Sequence, residues 1–161
     1  VVTQELEDLE KITIDLPITA FIPDRYIAES REKINAYQRL SSATKLEELS
    51  ELEQEFEEDY GALPPEVKNL FKVLELKILS RHAEITALRT LIESASSKHV
   101  ILTMGKNMKP EQIMKLLEIN PQWKITGTTL RIDMKSLGFQ WIEGLKESLE
   151  ALVKGKELIK T

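Results

Sequence analysis

The sequence predicts an α+β fold: a helical front half of three helices packed with a small, mainly antiparallel sheet and two further helices. Three observations predict it. Between Asp24 and His82 apolar residues recur at spacings of three and four, the period of helices with one buried face. From Ile85 the texture changes to short runs rich in Ile, Leu, Val and Thr, separated by turn formers. The resulting order (a strand, three helices, two strands, a helix, two strands and a helix) lacks the regular alternation of βαβ units. A chain of 161 residues fits one domain, residues 1–161, that buries roughly two-thirds of its unfolded surface, with fraying expected at 1–10 and 156–161.

Taken in order, Ile12, Ile14 and Leu16 alternate with Thr13 and Asp15 as in a half-buried strand, and Pro17 ends it. This strand is one that can join the sheet of the back half. Asp24 is the expected N-cap of a helix running to about Ser41, with Ile27, Ile34, Tyr37 and Leu40 along one side. Thr44 and Glu47 match a capping box, which starts a second helix after a tight connection. Its core stripe is Leu46, Leu49, Leu52, Phe56 and Tyr60. Gly61 suits the residue past a helix end, and Pro64-Pro65 preset the entry to a third helix, Glu66 to about Arg81, apolar on more than one side.

The runs ITALRTLIE and KHVILTM flank the turn-prone Ser94 to Ser97 and read as a hairpin. Pro110 opens a short helix holding Ile113, Leu116 and Leu117, which Asn120-Pro121 stops. Gly127-Thr128 is a two-residue turn between Lys124-Ile125-Thr126 and Thr129-Leu130-Arg131-Ile132. A closing helix takes Phe139, Ile142, Leu145, Leu149 and Leu152 or Val153 as its core face, with Gly155 as its cap.

Composition narrows the function classes. No cysteine is present, which excludes disulfides and thiolate metal sites and is compatible with a reducing cytoplasm. No apolar run approaches the ~20 residues that span a bilayer, and the opening VVTQELEDLEK is acidic, so a soluble, cytoplasmic chain with no membrane partner is expected. Net charge is −5, unevenly spread: residues 1–60 hold 16 acidic and 6 basic side chains, and 61–161 hold 11 acidic and 16 basic. An acidic front repels phosphate and attracts basic protein surfaces, which favours a protein partner.

Catalytic chemistry has little to stand on. Six glycines form neither a phosphate loop nor a dinucleotide fingerprint, and His82 and His99 belong to no zinc-binding pattern. No serine lies in a nucleophile elbow, and paired carboxylates along a solvated helix lack the burial that separates catalytic pKa values. No catalytic, cofactor or metal residue is therefore nominated. Trp123, Phe139 and Trp141 read as core anchors ahead of a base-stacking platform. Lys98, Lys106, Lys109, Lys124, Arg131 and Lys135 are the bases a nucleic-acid alternative would use.

The informative stretch is the second helix. Between Glu47 and Asp59 it carries eight acidic residues and no base. With Leu49, Leu52 and Phe56 facing the core, Glu47, Glu51 and Glu58 point nearly opposite, and Glu55 lies slightly to one side. Crowded carboxylates at i, i+3 and i, i+4 cost a few tenths of a kcal/mol per pair. A basic partner turns that cost into attraction, although such a strip is more often simply solvated.

The ordered series Ile22-Pro23, Tyr26-Ile27, Arg31, Tyr37, Arg39-Leu40, Tyr60-Gly61 and Leu63-Pro64, followed by an apolar helix, resembles the C-terminal (TRCF) domain of bacterial transcription-repair coupling factors, Mfd. The resemblance implies a non-catalytic regulatory piece of a larger DNA-repair protein. That family's full-length protein is an ATP- and magnesium-dependent DNA translocase of the helicase class, acting in transcription-coupled nucleotide-excision repair. It contacts DNA through other domains, displaces stalled RNA polymerase and recruits UvrA. In the family this domain folds against an N-terminal UvrB-like module, masks the UvrA-binding surface and restrains the motor. By position in the motif, the acidic contacts to arginines of that module correspond to Glu55 and Glu58, with Glu51 and Glu47 continuing the strip. A stand-alone acidic adaptor is the alternative.

Overall fold

The computed structural model describes residues 11–106 and 108–160. Five helices and five strands make up an α+β fold: β1 Thr13–Asp15, α1 Ser30–Ser41, α2 Leu46–Tyr60, α3 Pro65–His82, β2 Ile85–Ser94, β3 Ser97–Met104, α4 Pro110–Ile119, β4 Lys124–Thr126, β5 Thr129–Asp133 and α5 Trp141–Lys160. A short 3-10 turn, Met134–Leu137, precedes α5. The contacts divide the chain into two compact units, Ile18–Ile78 and Lys11–Pro17 together with Leu79 onward, so the division falls inside α3.

The first unit is helical. Its buried apolar residues include Ile22, Ile27, Ala36 and Leu40 from the start of the unit and α1, Leu49, Leu52 and Phe56 from α2, and Val67, Phe71, Leu76 and Ile78 from α3. α1 begins five residues later than an Asp24 cap would place it. The amides of Tyr26 and Ile27 donate to the Pro23 carbonyl in a separate turn, and the Asp24 carboxylate pairs with Lys33. Glu29 caps α1 instead, its carboxylate accepting from the amides of Arg31 and Glu32 at 3.1 and 2.9 Å. Ala36 and Leu40 then set the inward face, and Ile34, two residues and about 200° from Ala36, is 56% exposed rather than core.

The expected capping box at α2 does not form. Lys45 is the N-cap residue, and the buried Thr44 hydroxyl donates to the Glu48 carboxylate at 3.4 Å. The other end of α2 is well secured. Gly61 adopts φ +89°, and the Tyr26 hydroxyl reaches the carbonyls of Phe56 and Gly61 at 3.0 and 2.9 Å. The Gly61 carbonyl lies past the last helical residue, where a helix end leaves carbonyls without partners. The Tyr26 and Tyr60 rings, Phe56 and Tyr60, and Phe56 and Phe71 lie 5.7, 6.1 and 5.7 Å apart, a chain of tilted and edge contacts fastening α2 from beneath.

The second unit is a five-stranded sheet of order β1-β2-β3-β5-β4 with α4, α5 and the 3-10 turn. β1 joins parallel to β2, and every other pairing is antiparallel. Register puts Leu88, Leu102 and Leu130 in one cross-strand row and Thr90, Val100 and Ile132 in the next, so the period of two places these on a single face. The buried residues Leu116, Trp123, Leu145, Leu149 and Leu152 complete the apolar set of this unit. Gly144 approaches the Leu137 carbonyl so closely that a Cβ would lie 2.4 Å from it, which locks α5 to the 3-10 turn.

Two expectations about α5 fail. The helix starts at Trp141, so Phe139 lies ahead of it, fully exposed instead of core. At the other end Gly155 does not stop the helix, which continues to Lys160, because an interior glycine costs only ~1 kcal/mol relative to alanine. Of the fraying expected at 1–10 and 156–161, residues 1–10 and Thr161 lie outside the described residues, and 156–160 belong to α5.

Candidate interaction surface

α2 displays the acidic strip where helical geometry places it. Glu47, Glu51, Glu55 and Glu58 are all exposed, as are Glu57 and Asp59, while Leu49, Leu52 and Phe56 are buried. Glu48 is half-buried against Thr44. Glu53, at the flank of the strip, has its carboxyl pKa raised, first by partial burial and then by the charges of Glu57 and Glu75, with Lys68 offsetting part of the effect.

Sequence spacing missed one member of this surface. Arg39 of α1 pairs with Glu55, both side chains about half exposed at 48%. Among the described residues this is the ion pair that an α2 carboxylate makes. Glu47, Glu51 and Glu58 carry no such partner there, so the four nominated residues are not equivalent: three offer bare carboxylates and the fourth is already engaged. The contact joins residues sixteen apart on different helices, beyond any i, i+4 rule. The only signal in the sequence was the presence of a long basic side chain on the preceding helix.

Arg39 and Glu55 also border an open groove of about 590 Å³ between α1 and α2. Asn35, Gln38, Ser42, Glu48 and Glu51 line the rest of it, with Leu52 at its floor. Hydrogen-bonding groups and carboxylates in so open a place suit a protein side chain carrying a guanidinium or ammonium group. Tyr60 adds a phenol beside the end of the strip. Its pKa is raised by desolvation and by the carboxylates of Glu32 and Asp59.

The bases singled out for nucleic acid fall into separate pairs, Lys98 with Lys135 at one crevice and Lys124 beside Arg131 in register, and make no single track. Lys98 is the second residue of β3 and Lys106 follows its end, so most of an eight-residue strand, roughly 25 Å, lies between them. Arg131 is spent on Glu93 at 2.6 Å, an interaction that holds the Glu93 carboxyl below its ordinary pKa. Trp123 is buried, as a core anchor should be, and Trp141 is half-buried. Among the described residues no group of three or more His, Asp or Glu is arranged to hold a metal ion, and no helix is long and apolar enough to cross a membrane.

Comparison with known proteins gives a consistent result. The family model described as the TRCF domain matches residues 16–119. The chain is 29% identical over 149 residues to the transcription-repair-coupling factor of Bacillus subtilis, covering 86% of this chain and 12% of that protein. It is 27% identical over 154 residues to the one from Borreliella burgdorferi, covering 96% and 13%. The chain thus spans about one-eighth of the length of these relatives. A crystal structure of the C-terminal domain of a transcription-repair coupling factor superposes with a TM-score of 0.74 at 20% identity, covering 92% of this chain and 95% of that one, a likeness of fold.

Proposed function

Because the chain belongs to the TRCF domain family, we propose that it is the regulatory C-terminal piece of a transcription-repair coupling factor and docks through α2 on a UvrB-like module of the same protein. Docking masks the surface that would bind UvrA and restrains a DNA translocase motor until RNA polymerase is engaged. The chemistry of that motor, with its ATP and magnesium and its hold on DNA, belongs to other domains of a cytoplasmic parent. This piece contributes a surface and no catalytic group or cofactor.

One observation carries the reading: Glu47, Glu51, Glu55 and Glu58 stand exposed on a single helix whose opposite face is buried and whose end is tied down by Tyr26. A charged strip on a fixed helix loses little freedom on docking, so the attraction of a row of arginines is not consumed in ordering it. Exposed pairs are worth ~0.2–1 kcal/mol each, which makes several of them a latch of a few kcal/mol. Such a latch holds a closed state, and a ligand that prefers the open state by a similar amount releases it. Partly exposed charge pairs also weaken with salt.

Calorimetric titration of this chain with the separately purified UvrB-like module, at low and moderate salt, tests the proposal. Salt-sensitive binding that a Glu55→Lys, Glu58→Lys variant loses while keeping its fold is the expected result. Unchanged binding by that variant, or no binding even when the two pieces are joined by a flexible linker, overturns it.

A further inference from the structure

The turn between β2 and β3 leaves a crevice of about 220 Å³ in the second unit, lined by none of the residues of the α2 surface. Ala95, Ser96, Met134 and Trp141 line it together with Lys98 and Lys135, whose side chains are exposed. Two apolar side chains stand nearby with no cover: Ile92, paired in register with Lys98, is 60% exposed, and Phe139 is fully exposed. The walls are rigid elements. Gly138, at φ +86°, turns the chain from the 3-10 turn toward α5, and the close approach of Gly144 to Leu137 fixes that turn. Phe139 is therefore held outward by backbone geometry.

The charged side chains that line the crevice are both basic. Neither Lys98 nor Lys135 makes an ion pair among the described residues. The neighbouring carboxylates are already committed: Asp133 accepts from the Lys135 amide at 2.9 Å, and Glu93 is held by Arg131 and Ser97. Glu143, beside Trp141 in sequence, has a partner of its own. The crevice is smaller than the ~300–1,000 Å³ typical of small-molecule pockets and has room for one side chain. Two lysines fall short of the roughly four to eight bases that mark anionic-lipid surfaces, and nothing here offers the long basic track of a nucleic-acid site.

We propose that this hairpin-end crevice is a second docking surface, whose occupant is an acidic peptide segment that seats one large apolar side chain between Met134 and Trp141 and sets its carboxylates against Lys98 and Lys135. Phe139 and Ile92 flank the seated side chain and exclude water from it, as apolar neighbours do around an interface anchor. The surface is distinct from the strip on α2 and of opposite sign, so one chain can hold a basic partner and an acidic one.

The test is a ¹⁵N chemical-shift titration of the whole chain with an acetylated peptide Asp-Asp-Leu-Phe-Asp-Asp. Controls replace the central Leu-Phe by Ala-Ala or every Asp by Lys. Expected are shifts confined to residues 95–98 and 134–141, including the Trp141 indole, with neither control peptide binding. A Lys98→Glu, Lys135→Glu variant should lose at least about fivefold in affinity, and Phe139→Ser about threefold, magnitudes set by surface charge pairs and rim contacts. All three positions are exposed, and the same spectra report whether the fold is kept. No shift at millimolar peptide, equal shifts from the Lys peptide, or binding only to phosphatidylserine vesicles overturns the proposal.

Discussion

On α2, eight carboxylates crowd a helix and, among the described residues, only Arg39 pairs with one of them; on the sheet, Glu93 of β2 and Arg131 of β5 neutralise each other. The strands between and beside them continue that habit: Asp15, Arg89, Ile101, Arg131 and Lys124 follow one another across a single register row, mixing signs. Local spacing decides the first pattern, because residues three and four apart share a helix face. Strand register decides the second, because neighbours on a sheet come from distant parts of the chain. A surface of one sign is unstable by itself and favourable with a partner, whereas a mixed surface is complete as it stands. That difference is why we propose α2 as the surface for the basic partner.

Substitutions can break the comparison, and the largest effect should come from the packing that holds α2 in place. Phe56→Ala removes the ring shared by Tyr60 and Phe71 and should cost ~3–5 kcal/mol in denaturant unfolding. A much smaller loss would mean that α2 is not fastened by its aromatic side. In the second unit, Gly144→Ala forces a methyl group against the Leu137 carbonyl and should cost about 1–3 kcal/mol despite the better helix propensity of alanine. If it stabilises the protein, the turn before α5 has more freedom than its geometry shows.

Smaller effects sharpen the comparison instead. Arg39→Gln frees Glu55, so docking on an arginine-bearing partner should tighten by up to about fivefold in calorimetry, the equivalent of a pair worth less than 1 kcal/mol. Weaker docking would show that Arg39 holds Glu55 in a productive position. Glu53→Gln should stabilise the chain at neutral pH by a few tenths of a kcal/mol, the scale of one relieved i, i+4 repulsion with Glu57. The sign follows from its raised pKa: ionised Glu53 costs stability above that value. The advantage of Gln should shrink as pH falls from the raised pKa toward the ordinary 4.5 and vanish below it, as paired wild-type and variant melts across that window would show.

Most of the fold could be read from periodicity, since α2, α3, the β2–β3 hairpin, α4 and the β4–β5 turn all depend on residues close in sequence. The errors lie at the ends of elements, where one capping or turn preference competes with another. Asp24 looked like the better cap, yet it bonds Lys33 while Glu29, a less favoured capping type, starts α1. Thr44 and Glu47 matched a capping box, but the buried Thr44 turns to Glu48. Phe139 had the spacing of a core residue and lost that place because Gly138 turns the chain before α5 begins. The acidic strip was visible for the same reason the helices were. Arg39 was not, because no spacing rule connects α1 to α2.

The most direct test of docking through α2 is a charge exchange. Glu58→Arg in this chain should abolish calorimetric binding to the UvrB-like module, and replacing the facing arginine of that module by glutamate should restore a large part of it, while each single change remains deficient. That pattern would locate an acidic side chain of α2 against a basic one of the module. If Glu58→Arg binds as tightly as the unaltered chain, the acidic strip is a solvated face and the proposed latch does not exist.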